Sequence, residues 1–298
     1  MPFKSGFVTI IGRPNVGKST LLNRIVGEKI AIMSDKPQTT RHKITAIYND
    51  DVSQIVFVDT PGIHKPKNKL GDFMVTGAVN AMRDVDLVLL MTDHSTQIGP
   101  GDRFLLDLIE QAGVHAMLVI NKIDRMSPED FKTVYDVYDT MPFIEDIIGI
   151  SATEGKGIDE LIRRIQARLP EGPAFYPKDQ LTDQTERTIV AEIIREKALQ
   201  YLDDEIPHGV AVEIRSMKMR SDKELYDIEA EIICEKKSHK GIIIGKNGRK
   251  LKGIGKSARQ DIERLLETQV NLQIWVKIRE GWRDDSSMLK QLGYKEES

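Results

Sequence analysis

Residues 12–19 read Gly12-Arg13-Pro14-Asn15-Val16-Gly17-Lys18-Ser19, and the fold is decided there. The stretch fits G-x-x-x-x-G-K-[S/T], the phosphate-binding loop. Before it, the apolar run Phe7-Val8-Thr9-Ile10-Ile11 reads as a buried strand; after it, Ser19 to Val26 has helical spacing and stops at Gly27. The motif requires that setting. Glycines let the backbone wrap a polyphosphate with its N–H groups inward, at the positive end of a helix. Lys18 is placed to reach the β- and γ-phosphates and the Ser19 hydroxyl to hold Mg²⁺, so Gly12 through Thr20 are candidate nucleotide contacts.

Strand and helix patterns alternate outward from this loop as far as residue 169. The expected strands are 6–12, 42–49, 54–59, 86–92, 114–120 and 147–150; the expected helices are 18–27, 70–83, 101–112, 129–140 and 157–169. The later strands are continuous Val/Ile/Leu runs, as in a sheet buried on both faces. The pattern predicts an α/β, doubly wound, mostly parallel sheet with its site in the loops after the strand ends.

Those loops carry further chemistry. Strand 54–59 runs into Asp59-Thr60-Pro61-Gly62, a D-x-x-G, with Ile63 next. There Asp59 can hold the Mg²⁺ shell through water, and the Gly62 N–H can meet a γ-phosphate and lose it after hydrolysis. Strand 114–120 runs into Asn121-Lys122-Ile123-Asp124. Asp124 can accept hydrogen bonds from guanine N1–H and N2–H₂, a donor pair adenine lacks, while Lys122 lays its stem along the base. The last strand runs into Ser151-Ala152-Thr153, whose backbone can contact guanine O6. Each of these is a common turn sequence; falling in order, each at a strand end, they form one site. Between the phosphate-binding loop and D-x-x-G lies Ser34-Asp35-Lys36-Pro37-Gln38-Thr39-Thr40-Arg41, polar and rich in turn formers, which reads as a switch segment or an ordinary polar loop.

Composition narrows the class. The chain has 298 residues, enough for two domains, and a net charge of −3, which excludes a protein basic all over. Its single cysteine, Cys234, allows no internal disulfide and suits a reducing compartment. No secretion signal is expected at the start, and no apolar run approaches a membrane span, so a cytoplasmic protein is expected. The histidines show no metal spacing, and His64 reads as a solvated loop side chain.

Three prolines and a glycine between Leu169 and Pro177 stop the alternation. We therefore expect domains over 1–170 and 185–280, a linker over 171–184, and a tail helix within 281–298. In the second half the expected order is helix, strand, strand, helix, helix, strand, with Gly245-Lys246-Asn247-Gly248 between the last two helices. No acidic residue occurs between Glu235 and Asp261, although Lys236, Lys237, Lys240, Lys246, Arg249, Lys250, Lys252, Lys256 and Arg259 all fall inside. One-sided charge around a G-x-x-G in an acidic chain points to a phosphate backbone. Trp275 is expected in the core, and Trp282 is expected to pack rather than touch RNA.

Two resemblances follow. The run Ile242 to Leu251 resembles the core of KH domains, and the element order matches their type II form, a smaller α+β domain. In such domains this loop clamps unpaired nucleotides. The resemblance implies that Ile243, Ile244, Gly245, Lys246, Asn247, Gly248, Arg249, Lys250 and Lys252 bind RNA. GRPNVGKST, QTTR, DTPGIH, NKID and SAxxG together resemble the Era family of GTPases over nearly the whole chain. That resemblance implies a GTPase turning GTP into GDP, with Lys18, Thr40, Asp59 and Gly62 at the chemistry and Thr40 joining Ser19 on Mg²⁺. It places Ile63 where Ras-like proteins carry a water-orienting glutamine. Asn15 either holds a K⁺ near the phosphates or only braces the loop. The implied partners are single-stranded 16S ribosomal RNA near its 3′ end and the small ribosomal subunit, in assembly. A monomer is expected, associated peripherally with the inner face of the cell membrane. The rival reading is a regulatory switch that docks a protein or membrane, with the KH-like half as scaffold. A nucleotide kinase is disfavoured, having no use for N-K-x-D.

Overall fold

The computed structural model describes residues 2–32, 44–60, 62, 65–66, 68–202, 206 and 209–294. These residues form two compact units that divide between Asp183 and Gln184, except that Asn68–Leu70 fall with the second. The family of loops built on Gly12–Ser19 lies in the first.

Its sheet has the order β2-β3-β1-β4-β5-β6, with β1 over Lys4–Gly12, β2 over Ile44–Asn49, β3 over Ser53–Asp59, β4 over Leu87–Thr92, β5 over Ala116–Ile120 and β6 over Ile144–Gly149. Only the β2–β3 pair is antiparallel. The central strands are buried on both faces because helices cover both. One core contains Val8, Ile10, Leu21, Phe57, Leu89 and Leu161; the other contains Ile11, Leu90, Leu105, Ile109 and Leu118. The helices are α1 (Lys18–Val26), α2 (Lys69–Arg83), α3 (Pro100–Ala112), α4 (Pro128–Asp139) and α5 (Ile158–Arg168). In α1, Leu21, Leu22 and Ile25 recur on one buried face, and Gly27 at φ 83° ends the helix by donating to the Asn23 carbonyl.

β6 starts three residues before the expected strand. It is an edge strand, so Glu145 stays in solvent while Asp146 is held by Arg164 and Arg168 of α5, at 2.7 and 2.8 Å. Charges at its start hide the strand from a search for apolar runs.

Beyond α5 the chain is laid along the same unit. The Ser5 amide donates to the Pro170 carbonyl, and the Gly172 amide to the Phe3 carbonyl. Gln54, fully buried on β3, accepts from the amides of Phe175 and Tyr176 and donates to the Tyr176 carbonyl. Phe175 packs on Phe7 with ring centres 4.8 Å apart. On the outer side of β2, the Ile47 amide donates to the Leu181 carbonyl, and the Thr182 hydroxyl to the Thr45 carbonyl.

The second unit contains α6 (Glu186–Tyr201), β7 (Ala211–Met219), β8 (Leu225–Cys234), α7 (Lys237–Ile244), α8 (Arg249–Leu266), β9 (Gln269–Ile278) and α9 (Ser286–Gln291). Its sheet runs β7-β8-β9, antiparallel then parallel. Ile193, Ile194 and Ala198 of α6 and Ile254, Ala258 and Ile262 of α8 cover one face. Trp275 is not in the core as expected: it is 48% exposed. Its neighbours explain this, because Ile274 and Val276 take the alternate positions facing the helices, leaving Trp275 on the open face. Trp282 is fully buried, donates Nε1–H to the Gly209 carbonyl at 3.0 Å, and stacks on Tyr294.

Candidate nucleotide site and candidate RNA interface

Backbone conformation builds the first site. Asn15 at φ 66° and Gly17 at φ 108° turn the chain between β1 and α1, so that α1 begins at Lys18 with no acidic residue in its first turn. An uncompensated positive helix end favours an anion there. Lys18 is buried and donates Nζ to the carbonyls of Gly12 and Arg13, at 2.9 and 3.0 Å. Burial lowers its pKa to about 8, against the opposing pull of Asp59. Asp59 is fully buried at the end of β3, and the Thr60 hydroxyl beside it donates to the Ile10 carbonyl. Gly62 lies against the loop: a Cβ there would stand 3.1 Å from Pro14 Cα.

Asn121 joins three loops. Its Nδ2 donates to the Val16 carbonyl at 2.8 Å, and its Oδ1 accepts from the Ala152 amide at 3.0 Å. Lys122, at φ 63°, donates Nζ to the Asn15 carbonyl at 2.8 Å and to Asp93 Oδ2 at 3.2 Å. Ile123 follows in a short 3-10 turn, its amide donating to the Ile150 carbonyl. The Ser151 hydroxyl beside Asp124 holds that carboxyl below the ordinary range, so it is an ionised acceptor at neutral pH. Arg24 of α1 donates to the carbonyls of Ala152 and Thr153, a brace no motif announced. The Asn121 interlock thus brings the first loop, N-K-x-D and Ser151-Ala152 to one end of the sheet, with Gly62 against Pro14. Thr40, Pro61, Ile63 and His64 lie outside the described residues.

The residues fit a magnesium nucleotide. Ser19 stands in the first turn of α1, and the Asp59 carboxylate is a buried anion at the end of β3. Both offer oxygen, the donor type Mg²⁺ takes. The cradle also needs its glycines, since a Cβ on Gly12 would meet the Met91 carbonyl oxygen at 2.5 Å.

In the second unit, α7 and α8 flank Gly245-Lys246-Asn247-Gly248. Gly245 (φ 71°), Asn247 (φ 54°) and Gly248 (φ 72°) make the turn, and the Gly248 amide closes it onto the Gly245 carbonyl. Gly245 is required sterically, because a Cβ would lie 2.7 Å from that of Lys250; one on Gly248 would meet nothing within 4 Å. Lys246, Asn247, Arg249 and Lys252 are exposed, and Lys250 is half-buried. Ile243 departs from expectation: its side chain is fully buried in the core, so it cannot face RNA. Ile244 is half-buried against that core, and the apolar surface beside the turn is Ile242, 43% exposed.

Comparison with known proteins decides the family. Residues 7–122 match the model of the 50S ribosome-binding GTPase family, and residues 205–283 match the KH domain. The chain is 59% identical over 294 residues to GTPase Era of Alkaliphilus metalliredigens, covering 99% of this chain and 100% of that protein. The chain belongs to the Era family of GTPases. GTPase Era of Clostridioides difficile is also 59% identical, over 98% of this chain and 99% of its own length. A crystal structure of an Era with MgGDPNP and nucleotides 1506–1542 of 16S ribosomal RNA superposes with a TM-score of 0.93 at 38% identity. It covers 98% of this chain and 99% of that one. An Aquifex aeolicus Era variant bound to GDP·AlF₄⁻ gives the same values. Era-family membership accounts for both units: a P-loop GTPase fold on a mostly parallel sheet, followed by a KH domain.

Proposed function

We propose that this chain is a GTP-hydrolysing switch that binds single-stranded 16S ribosomal RNA near its 3′ end and acts in small-subunit assembly. The observation that carries the reading is Asn121 binding Val16 and Ala152 at once, which fixes a base-reading loop against a phosphate-binding loop. Lys18 and the first amides of α1 bind phosphate charge; Ser19 and Thr40 would be the protein ligands of Mg²⁺, and Asp59 would hold its shell through water. Bound Mg²⁺ neutralises charge that develops on the transferred phosphoryl group and the leaving diphosphate. Asp124 accepts from guanine N1–H and N2–H₂ and so rejects adenine. The Gly62 N–H reports the γ-phosphate, and its contact is lost with hydrolysis. Ile63 has no group to orient water, so turnover is slow.

In the KH domain the closed turn and the exposed Lys246, Arg249 and Lys252 hold the RNA backbone, with Ile242 beside them for a base. Support for the target comes from the similar Era, whose crystal structure contains that 16S fragment. Asn15 is assigned to K⁺; replacing K⁺ by Na⁺ should slow hydrolysis in wild type and not in Asn15→Ala. We further propose a cytoplasmic monomer that meets the membrane only peripherally, through the basic face. Among the described residues no helix is long and apolar enough to cross a bilayer.

Calorimetry with GTP and ATP, beside crosslinking of the GTP-loaded protein to RNA in a lysate, tests the proposal. Equal affinity for the two nucleotides would overturn the guanine assignment. Crosslinks spread without preference for 16S 3′ sequence would overturn the target.

A further inference from the structure

Asp93 belongs to none of the motifs. It follows β4, where one acidic residue after an apolar strand carries no signal of its own. In the fold it stands between the two loops that must stay in register. Its Oδ1 accepts from Arg13 Nη2 at 3.1 Å, inside the phosphate-binding loop. Its Oδ2 accepts from Lys122 Nζ at 3.2 Å, inside N-K-x-D, and the same ammonium donates to the Asn15 carbonyl. The Ser95 amide fixes the carboxylate from its own loop, and only 16% of the side chain is accessible. Arg13 is held from its other side by Asp102, buried at the start of α3, at 2.6 Å.

We propose that Asp93 is a positioning residue for the guanine nucleotide, clamping Lys122 and Arg13 so that the base-stacking stem and the outer turn of the phosphate loop share one geometry. The inference rests on the nucleotide site proposed above. Burial opposes the charge on Asp93, yet Lys122 and then Arg13 outweigh it and keep the carboxyl below the ordinary range. Without Asp93, Lys122 would keep its bond to the Asn15 carbonyl but lose the charge that orients it. Arg13 would keep only Asp102. The base side of the site would loosen, whereas Lys18, bonded to the Gly12 and Arg13 carbonyls, and Gly62, packed on Pro14, would stay in place.

The test is steady-state GTP hydrolysis and dissociation of a fluorescent GDP from the full chain. Asp93→Ala should raise KM and the dissociation rate about tenfold to a hundredfold and leave kcat within about threefold. Lys122→Ala should cost affinity by itself, and adding Asp93→Ala to it should cost less than about threefold more, since the clamp has then lost its object. Asp93→Asn keeps the shape and one acceptor but no charge, so its affinity should fall between wild type and Asp93→Ala; it also replaces Asp93→Ala in each comparison if that variant does not fold. Unchanged affinity, fully multiplicative losses in the double variant, or a fall in kcat with KM unchanged would overturn the proposal. A wild type that fails to bind guanine nucleotide would instead overturn the site on which it rests.

Discussion

Gly17 and Asn121 compete for one volume: a Cβ on Gly17 would stand 2.2 Å from Asn121 Nδ2. The second glycine of the phosphate loop is therefore needed by the guanine-reading loop, as well as by the turn that its φ of 108° makes. Gly17→Ala should expel Asn121 and break its bonds to Val16 and Ala152 together. We expect a loss of at least about 100-fold in GTP affinity and a destabilisation of about 2–4 kcal/mol. Calorimetry and thermal unfolding check the two, and an unchanged melting temperature would mean that Asn121 can move aside at no cost.

Lys18 sets a pH dependence. Its pKa in the free protein is about 8, lowered by burial against the pull of Asp59. Phosphates favour the ammonium, so the bound pKa lies higher, and affinity is full below pH 8 and falls as pH rises above it. At pH 8, binding of GDP should take up about half a proton. Calorimetry in two buffers of different ionisation enthalpy measures that number. The same shift makes the nucleotide-free fold less stable below pH 8 than above pH 10, as far as this lysine contributes, because the unfolded chain binds the proton more tightly.

Gly248→Asp should abolish RNA binding while leaving intrinsic GTP hydrolysis near wild type. A Cβ at this position meets open space, so the effect is charge placed against an RNA phosphate. At ~5 Å and an effective dielectric of about 20 the repulsion is roughly 3 kcal/mol, or about two decades in affinity. Gly248→Asn has the same shape and tolerates the left-handed backbone, so it should keep most of the binding. Fluorescence anisotropy with a short labelled RNA separates the two, and equal losses would replace charge by shape as the cause.

Trp282→Ala should destabilise the KH domain by about 3–5 kcal/mol, the range for removing a buried aromatic. The side chain is fully buried, donates to the Gly209 carbonyl and stacks on Tyr294. Trp282→Phe should recover most of the packing but leave that carbonyl without its donor. Denaturant unfolding of the full chain, followed by a probe in the second unit, reports the difference.

The strands of the first unit and the four strand-end loops were legible, though not the order of the strands in the sheet, because buried parallel strands are long apolar runs and glycine-rich turns have few alternatives. Three features were not. The start of β6 is Ile144-Glu145-Asp146, and an edge strand shows charge where a central one shows valine. Ile242 and Ile243 are chemically identical neighbours, and only the packing of α7 decides that one faces solvent and the other the core. Asp93 and Arg24 act through contacts more than 25 residues distant in the chain, and no local spacing encodes such partners.

The path of residues 171–182 along the first unit bears on how the protein can be taken apart. Leu181 and Thr182 occupy hydrogen-bonding positions on the outer side of β2, the strand at the margin of the sheet. A GTPase fragment cut after α5 would present those backbone groups bare, and bare strand margins recruit other chains. It would also take from Gln54 its bonds to Phe175 and Tyr176, leaving only the one its amide donates to Asn49 Oδ1. Self-association of such a fragment would reflect where it was cut and say nothing about the intact protein. An excised domain that remains monomeric must carry its own strap, through Thr182.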